Sequence, residues 1–213
     1  MFQKSFGTSG VNAIGSFQLS QLNSSSVKSK LKAAGINTNS KQYKAAVKQM
    51  MSAGNGAMYG NIQGIKNLMS HYDKDGDYIN PVNGLAGLLV TDDNENSRRR
   101  IISIPDSSKE EMYELTKKEF LRENGVCNGD TTKRTDVYNN LYRKMSKKDR
   151  LAAGYTLEKY ERIYRQAFYD AAKKADPNWE IGKPIKDGAL DSVTRETAES
   201  GKSPAQATLD TKI

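Results

Sequence analysis

Apolar positions along the chain recur mostly at helical spacing, separated by short breaks rich in Gly, Asn and Ser. Residues 1–24 lack that order. Phe2, Phe6, Val11, Ile14, Phe17, Leu19 and Leu22 are scattered among Ser, Gly, Gln and Asn with few charges, which predicts a flexible segment or one draped on a partner. A short helix follows from Ser25 or Ser26 to Ala34, because Ser supplies an N-cap oxygen and Gly35 suits the left-handed position past the end. The next helix, capped by Asn39 or Ser40, carries Tyr43, Val47, Met50 and Met51 on one face and stops at Gly54. A third opens near Asn61 and aligns Ile62, Ile65, Leu68, Met69 and Tyr72.

The pattern changes between residues 84 and 105, where two short apolar runs, 85–90 and 101–104, flank a polar loop. That arrangement predicts a small β-hairpin. Ser107, Ser108, Lys109 and Glu110 read as a capping box, opening a helix that runs to about Glu123. Tyr138, Leu141, Tyr142 and Met145 mark another helix, and residues 146–153 a short one closed by Gly154. The strongest stripe, Leu157, Tyr160, Tyr164, Ala167, Phe168 and Ala171, predicts a helix from Thr156 to about Lys174, with Pro177 just beyond it as a stop. Trp179 and Ile181 then lie in an extended segment that anchors across the helices, before a last short helix near 190–198.

These elements give a fold class of α+β, mostly helical: a compact multi-helix domain over residues 25–195 with one small β-hairpin, a flexible segment over 1–24 and a disordered tail over 196–213. Composition agrees with loose ends, since 36% hydrophobic residues is low for a fully packed chain. The single cysteine, Cys127, excludes an internal disulfide and suits a reducing compartment. No apolar run reaches the ~18 residues of a membrane span, and no secretory apolar region stands near the start. The expected location is cytoplasmic, with signal-independent export left open.

Charge is distributed unevenly. Residues 1–72 contain Lys4, Lys28, Lys30, Lys32, Lys41, Lys44, Lys48 and Lys66 but no Arg, Asp or Glu, so the formal net charge of +8 resides there and the remainder balances. Lys41, Lys44 and Lys48 fall on one face of the second helix and are the candidate anion-binding residues. A solvated helix face would look the same, and the absence of Arg weighs against base reading or phosphate clamping. Nucleic acid is therefore a possible partner but not the favoured one. Arg98, Arg99 and Arg100, and the cluster from Arg143 to Arg150, have acids nearby and read as solvated surface.

The acid-free third ends at Asp73, Asp75 and Asp77, whose spacing is that of positions one, three and five of a calcium loop. These are the candidate metal ligands, and Ca2+ is the one candidate cofactor. The loop departs from the pattern: Tyr78 stands where Gly is normal at position six, and position twelve is Gly84, or Asn83 if one residue is counted missing, instead of Glu. A polar turn ending a helix is the plainer reading.

Chemistry is otherwise sparse. His71 is the only histidine, and neither it nor Cys127 stands in a nucleophile motif; there is no G-x-S-x-G and no H-E-x-x-H. Gly201, Lys202 and Ser203 imitate the end of a P-loop, but Glu196 occupies the place of its first Gly. No catalytic residue is assigned and the protein is not expected to be an enzyme. A non-enzymatic protein-interaction module is the expectation, with an unknown protein partner; anion or nucleic-acid binding, and calcium binding, are the alternatives.

Four stretches carry a resemblance: residues 35–46 (GINTNSKQYKAA), 72–81 (YDKDGDYINP), 128–138 (NGDTTKRTDVY) and 182–190 (GKPIKDGAL). Together they resemble an uncharacterised family of small proteins from Gram-positive bacteria, catalogued as a domain of unknown function, over about residues 30–195. The resemblance implies a bacterial source and a shared fold, and carries no activity, ligand or catalytic residue.

Overall fold

Helix caps set the first elements. In the computed structural model, which describes residues 16–53, 59–126 and 131–200, Ser24 is extended and its Oγ accepts the Val27 amide, opening α1 (Ser25–Ala33). Val27 and Leu31, one turn apart, are buried. Past the end, Gly35 takes φ +80° and the Ile36 amide returns to the Leu31 carbonyl at 2.9 Å, a left-handed helix stop. The Ser40 hydroxyl accepts the Tyr43 amide at 3.1 Å and caps α2 (Lys41–Ala53). Asn61 does the same for α3 (Ile62–Met69), accepting the Gly64 amide at 2.7 Å.

The chain divides into two units, Met1–Leu89 and Val90–Ile213, where the sequence suggests a single domain over 25–195. In the first unit, β1 (Phe17–Gln18) pairs antiparallel with β2 (Tyr59–Gly60), Phe17 opposite Gly60 and Gln18 opposite Tyr59. Phe17, Leu19 and Leu22 are buried with Val27, Leu31, Ile36, Tyr43 and Ile65. This corrects the expectation that residues 1–24 are flexible throughout; residues 1–15 lie outside the described residues. The period of the segment changes from strand to 3-10 turn (Leu19–Gln21) within five residues, too few for either pattern to register.

In the second unit, α4 (Asp106–Arg122), α5 (Thr131–Lys144) and the 26-residue α6 (Arg150–Ala175) enclose Met112, Phe120, Leu141, Leu157, Tyr164 and Phe168, all fully buried or nearly so. The predicted capping box does not form, because Asp106 is already helical and the cap position is Pro105. Nor does Gly154 close a short helix. Lys147–Asp149 is a 3-10 turn leading directly into α6, and Gly154 lies inside that helix. A Cβ there would stand 2.6 Å from the Tyr142 hydroxyl, so the glycine is required by a close approach and not by a helix end. Trp179 is buried against Phe120 and Tyr169, ring centroids 6.0 and 5.8 Å away, and its Nε1 donates to the Lys183 carbonyl. α7 (Arg195–Glu199) opens with a capping box of Thr194 and Thr197. The expected tail from 196 is thus structured as far as Ser200, and 201–213 lie outside the described residues.

The hairpin over residues 84–105 is absent. Gly84 and Gly87 at φ +70° and +81° turn the first run, and Ala86 forms an isolated bridge with Ile79. The second run lies on α6 instead, with the Ile102 amide donating to Thr156 Oγ1 at 3.1 Å and Ile104 in the core. Among the described residues the fold is mostly helical with one short strand pair, but that pair is β1 and β2. Among the described residues, no helix is long and apolar enough to cross a membrane.

Candidate functional site

The carbonyl end of α3 is where the acidic turn begins. Met69 and Tyr72 carbonyls both accept from Gln42 Nε2, at 2.9 and 2.8 Å, so one amide from α2 ties together two carbonyls at the end of α3, the Met69 one also accepting the Tyr72 amide. The chain then doubles back. The Ile79 amide donates to the His71 carbonyl at 2.8 Å and Tyr72 bridges Tyr78, leaving residues 73–77 as the tip.

Within the tip, Asp73 Oδ1 accepts the amides of Asp75 and Asp77 at 2.9 and 3.0 Å, while the Asp73 and Asp77 backbones close on each other at 2.9 Å. Gly76 makes the corner at φ +86°; a Cβ there would press on the Lys41 carbonyl at 3.0 Å, so the turn rests on the first residue of α2. One carboxylate oxygen from each of Asp73, Asp75 and Asp77 comes within 4.8 Å of the others. Oxygens on opposite sides of a Ca2+ at its usual bond length are about 5 Å apart, so a shared ion fits this spacing. Asp73 is half-buried and the other two are exposed. Asn83, at the realigned position twelve, accepts the Leu85 amide with its Oδ1 at 3.0 Å, and Gly84 has no side chain to offer. The set therefore centres on three carboxylates without the bidentate Glu that tightens such loops.

Lys41, Lys44 and Lys48 lie exposed along α2, opposite the buried Tyr43 and Ala46, and make no ion pair among the described residues. The structure leaves them on a solvated face. The other basic runs have partners: Arg98 and Arg99 reach Glu95 at 2.8 and 3.6 Å, Arg100 reaches Asp149 at 3.7 Å and Lys144 reaches Glu111 at 3.3 Å. The tyrosines of the second unit are packing residues. Tyr164 is fully buried and donates to Glu199 at 2.6 Å, and burial pushes the Tyr138, Tyr142 and Tyr164 phenols above their ordinary range. His71 is exposed, and Cys127 lies outside the described residues.

Sequence reasoning missed a buried ion network. Glu119 Oε2 accepts from Arg134 Nη2 at 2.7 Å and from Arg165 Nη2 at 3.5 Å, while Glu161 Oε1 accepts from the same two arginines at 3.1 and 3.0 Å. The signal was present: Glu119 sits beside Phe120 on the stripe of Met112 and Thr116, and Glu161 follows Leu157 by four on α6. An acid on an apolar helix face needs a buried partner.

No curated protein and no solved structure matches this chain. The family described as Domain of unknown function (DUF3879) matches residues 36–213, beginning within the stretch at 35–46 that carries the resemblance and taking in the acidic turn. The match extends past residue 195, and with most of its length inside those bounds the chain belongs to that family.

Proposed function

We propose that the protein is a non-enzymatic interaction module whose acidic turn takes Ca2+. The observation that carries this reading is the convergence of the Asp73, Asp75 and Asp77 carboxylates to within 4.8 Å on a turn already shaped by its own backbone. Three carboxylates without a bidentate Glu place the affinity near the weak end for such loops, about 10⁻⁴ to 10⁻³ M. Calorimetric titration of the full chain with CaCl2 should give a single weak site. At about 10 mM Ca2+ and a Kd of about 1 mM the linked stabilisation is about 1.4 kcal/mol, visible as a rise in melting temperature. The triple variant Asp73→Asn, Asp75→Asn, Asp77→Asn should lose both heat and shift. An unchanged response in that variant, or none in the parent, sinks the proposal.

The interaction half of the reading is supported by the segment after the turn. Val82 and Leu89 are 79% and 55% exposed, large apolar side chains held out of the core of their unit. Val82→Ser with Leu89→Ser should lower the fluorescence of a bound apolar dye without moving the melting temperature. Unchanged dye binding would remove this surface from consideration.

A further inference from the structure

α1 and the first residues before α2 enclose an open depression of ≈ 480 Å³. Lys28, Ser29 and Lys32 form one wall, and Thr38 and Asn39 another, with the buried Ile36 also lining it. Lys28 and Lys32 come from successive turns of α1, four residues apart, so their stems leave the same helix face. Neither makes an ion pair among the described residues, and no residue of the chain before Asp73 is acidic. The depression is thus lined by two lysines and by no acidic side chain, together with Ser29 and Thr38, whose hydroxyls can donate to an anion.

We propose that this depression binds a small phosphate monoester, independently of the acidic turn. A dianion matches two uncompensated lysines, and lysine suits phosphate as a point charge even where Arg is missing. The volume lies within the range of small-ligand sites and exceeds what a bare phosphate needs, leaving room for a short organic group over Ile36. Neither arginine nor an aromatic ring lines it, which separates it from a groove built to stack and track a nucleic-acid strand. Lys41, Lys44 and Lys48, the anion candidates of the sequence, are not among its lining residues.

Amide spectra of the full chain titrated with glycerol 3-phosphate, and separately with inorganic phosphate, at constant ionic strength set with chloride, test this. Saturable shifts confined to residues 28–39 are expected, with the ester tighter than the free ion. Lys28→Gln with Lys32→Gln should weaken the ester at least tenfold with the melting temperature unchanged, whereas Lys41→Gln with Lys44→Gln should leave it alone. Shifts that fail to saturate, that spread equally over α2, or that fall equally in both variants would overturn the proposal as general attraction to a basic surface. Displacement of the ester by a short DNA duplex at equal phosphate concentration would overturn it in favour of nucleic acid.

Discussion

Glu119 and Arg134 are partners at 2.7 Å, yet replacing one should cost far less than replacing the other. The Glu119 side chain is 2% exposed, against 26% for Arg134 and 12% for Arg165. Among the described residues its Oε1 has no hydrogen-bond partner, and the carboxylate is held there through Oε2. Arg134→Ala leaves this buried charge with Arg165 at 3.5 Å as its remaining cation. Stripping one partner from a buried pair costs about 3–5 kcal/mol, and the surviving arginine puts this case near about 3. Glu119→Leu instead removes the buried charge together with its unpaired oxygen. Both arginines keep Glu161, at 3.1 and 3.0 Å, and both have some access to water, so the loss should be about 1 kcal/mol. Urea unfolding followed by fluorescence reads the difference, since Trp179 is the only tryptophan and its ring lies 6.0 Å from that of Phe120, the neighbour of Glu119 in sequence. A gap of about 2 kcal/mol separates the two midpoints by about 1 M at ordinary urea sensitivity. If Glu119→Leu proves as costly as Arg134→Ala, the carboxylate is a net stabiliser and the reasoning fails.

Gly154→Ala should destabilise the second unit by about 1 kcal/mol: the helix gains about 1 kcal/mol of propensity, but a Cβ 2.6 Å from the Tyr142 hydroxyl overpacks by about 2. Adding Tyr142→Phe should recover part of the loss, and a single variant more stable than the parent would show that the contact is soft. Trp179→Ala should cost about 3–5 kcal/mol by emptying the space beside Phe120 and Tyr169, measured as a calorimetric melt; a loss under about 1 would mean the segment after α6 is not an anchor. Burial raises the phenols of Tyr113, Tyr138, Tyr142 and Tyr164 above the 10.0 of free tyrosine. The sign follows: the unfolded chain loses these protons first, so their contribution is intact below about pH 10 and is lost as pH rises toward the folded values. The urea midpoint should be flat from about pH 8 to 9.5 and fall above 10, less steeply in Tyr138→Phe; equal steepness in parent and variant would deny that phenol its part.

Local chemistry was mostly legible, the capping box read at residues 107–110 excepted, and long-range chemistry was not. Gly35, Ser40 and Asn61 act where the sequence places them, because a cap is decided within four residues. The run at 101–104 is misread because an extended apolar segment looks the same whether it pairs with a strand or lies on a helix, and its partner, Thr156, is over fifty residues away. Gly154 has the same difficulty: the sequence reports a glycine, and only Tyr142 reveals whether it ends a helix or admits a ring. Of the acidic turn, the spacing of Asp73, Asp75 and Asp77 is legible, while the support from Gln42 and Lys41 arrives from α2 and leaves no trace in the spacing. The basic depression is illegible for a related reason, since its lining comes from α1 and from the residues before α2, which only the fold brings together.

Gln42 and Lys41 brace the acidic turn from outside it, one by holding the Met69 and Tyr72 carbonyls and the other by backing Gly76. A cation would meet a loop whose conformational entropy has already been removed by the packing of α2 on α3. Binding should therefore show almost no heat-capacity change, unlike a segment that orders around its ion. On the proposed reading, the same bracing would make a bound ion a clasp between two helices: calcium should slow amide hydrogen exchange in the first turn of α2, where no ligand resides, as much as in the loop itself.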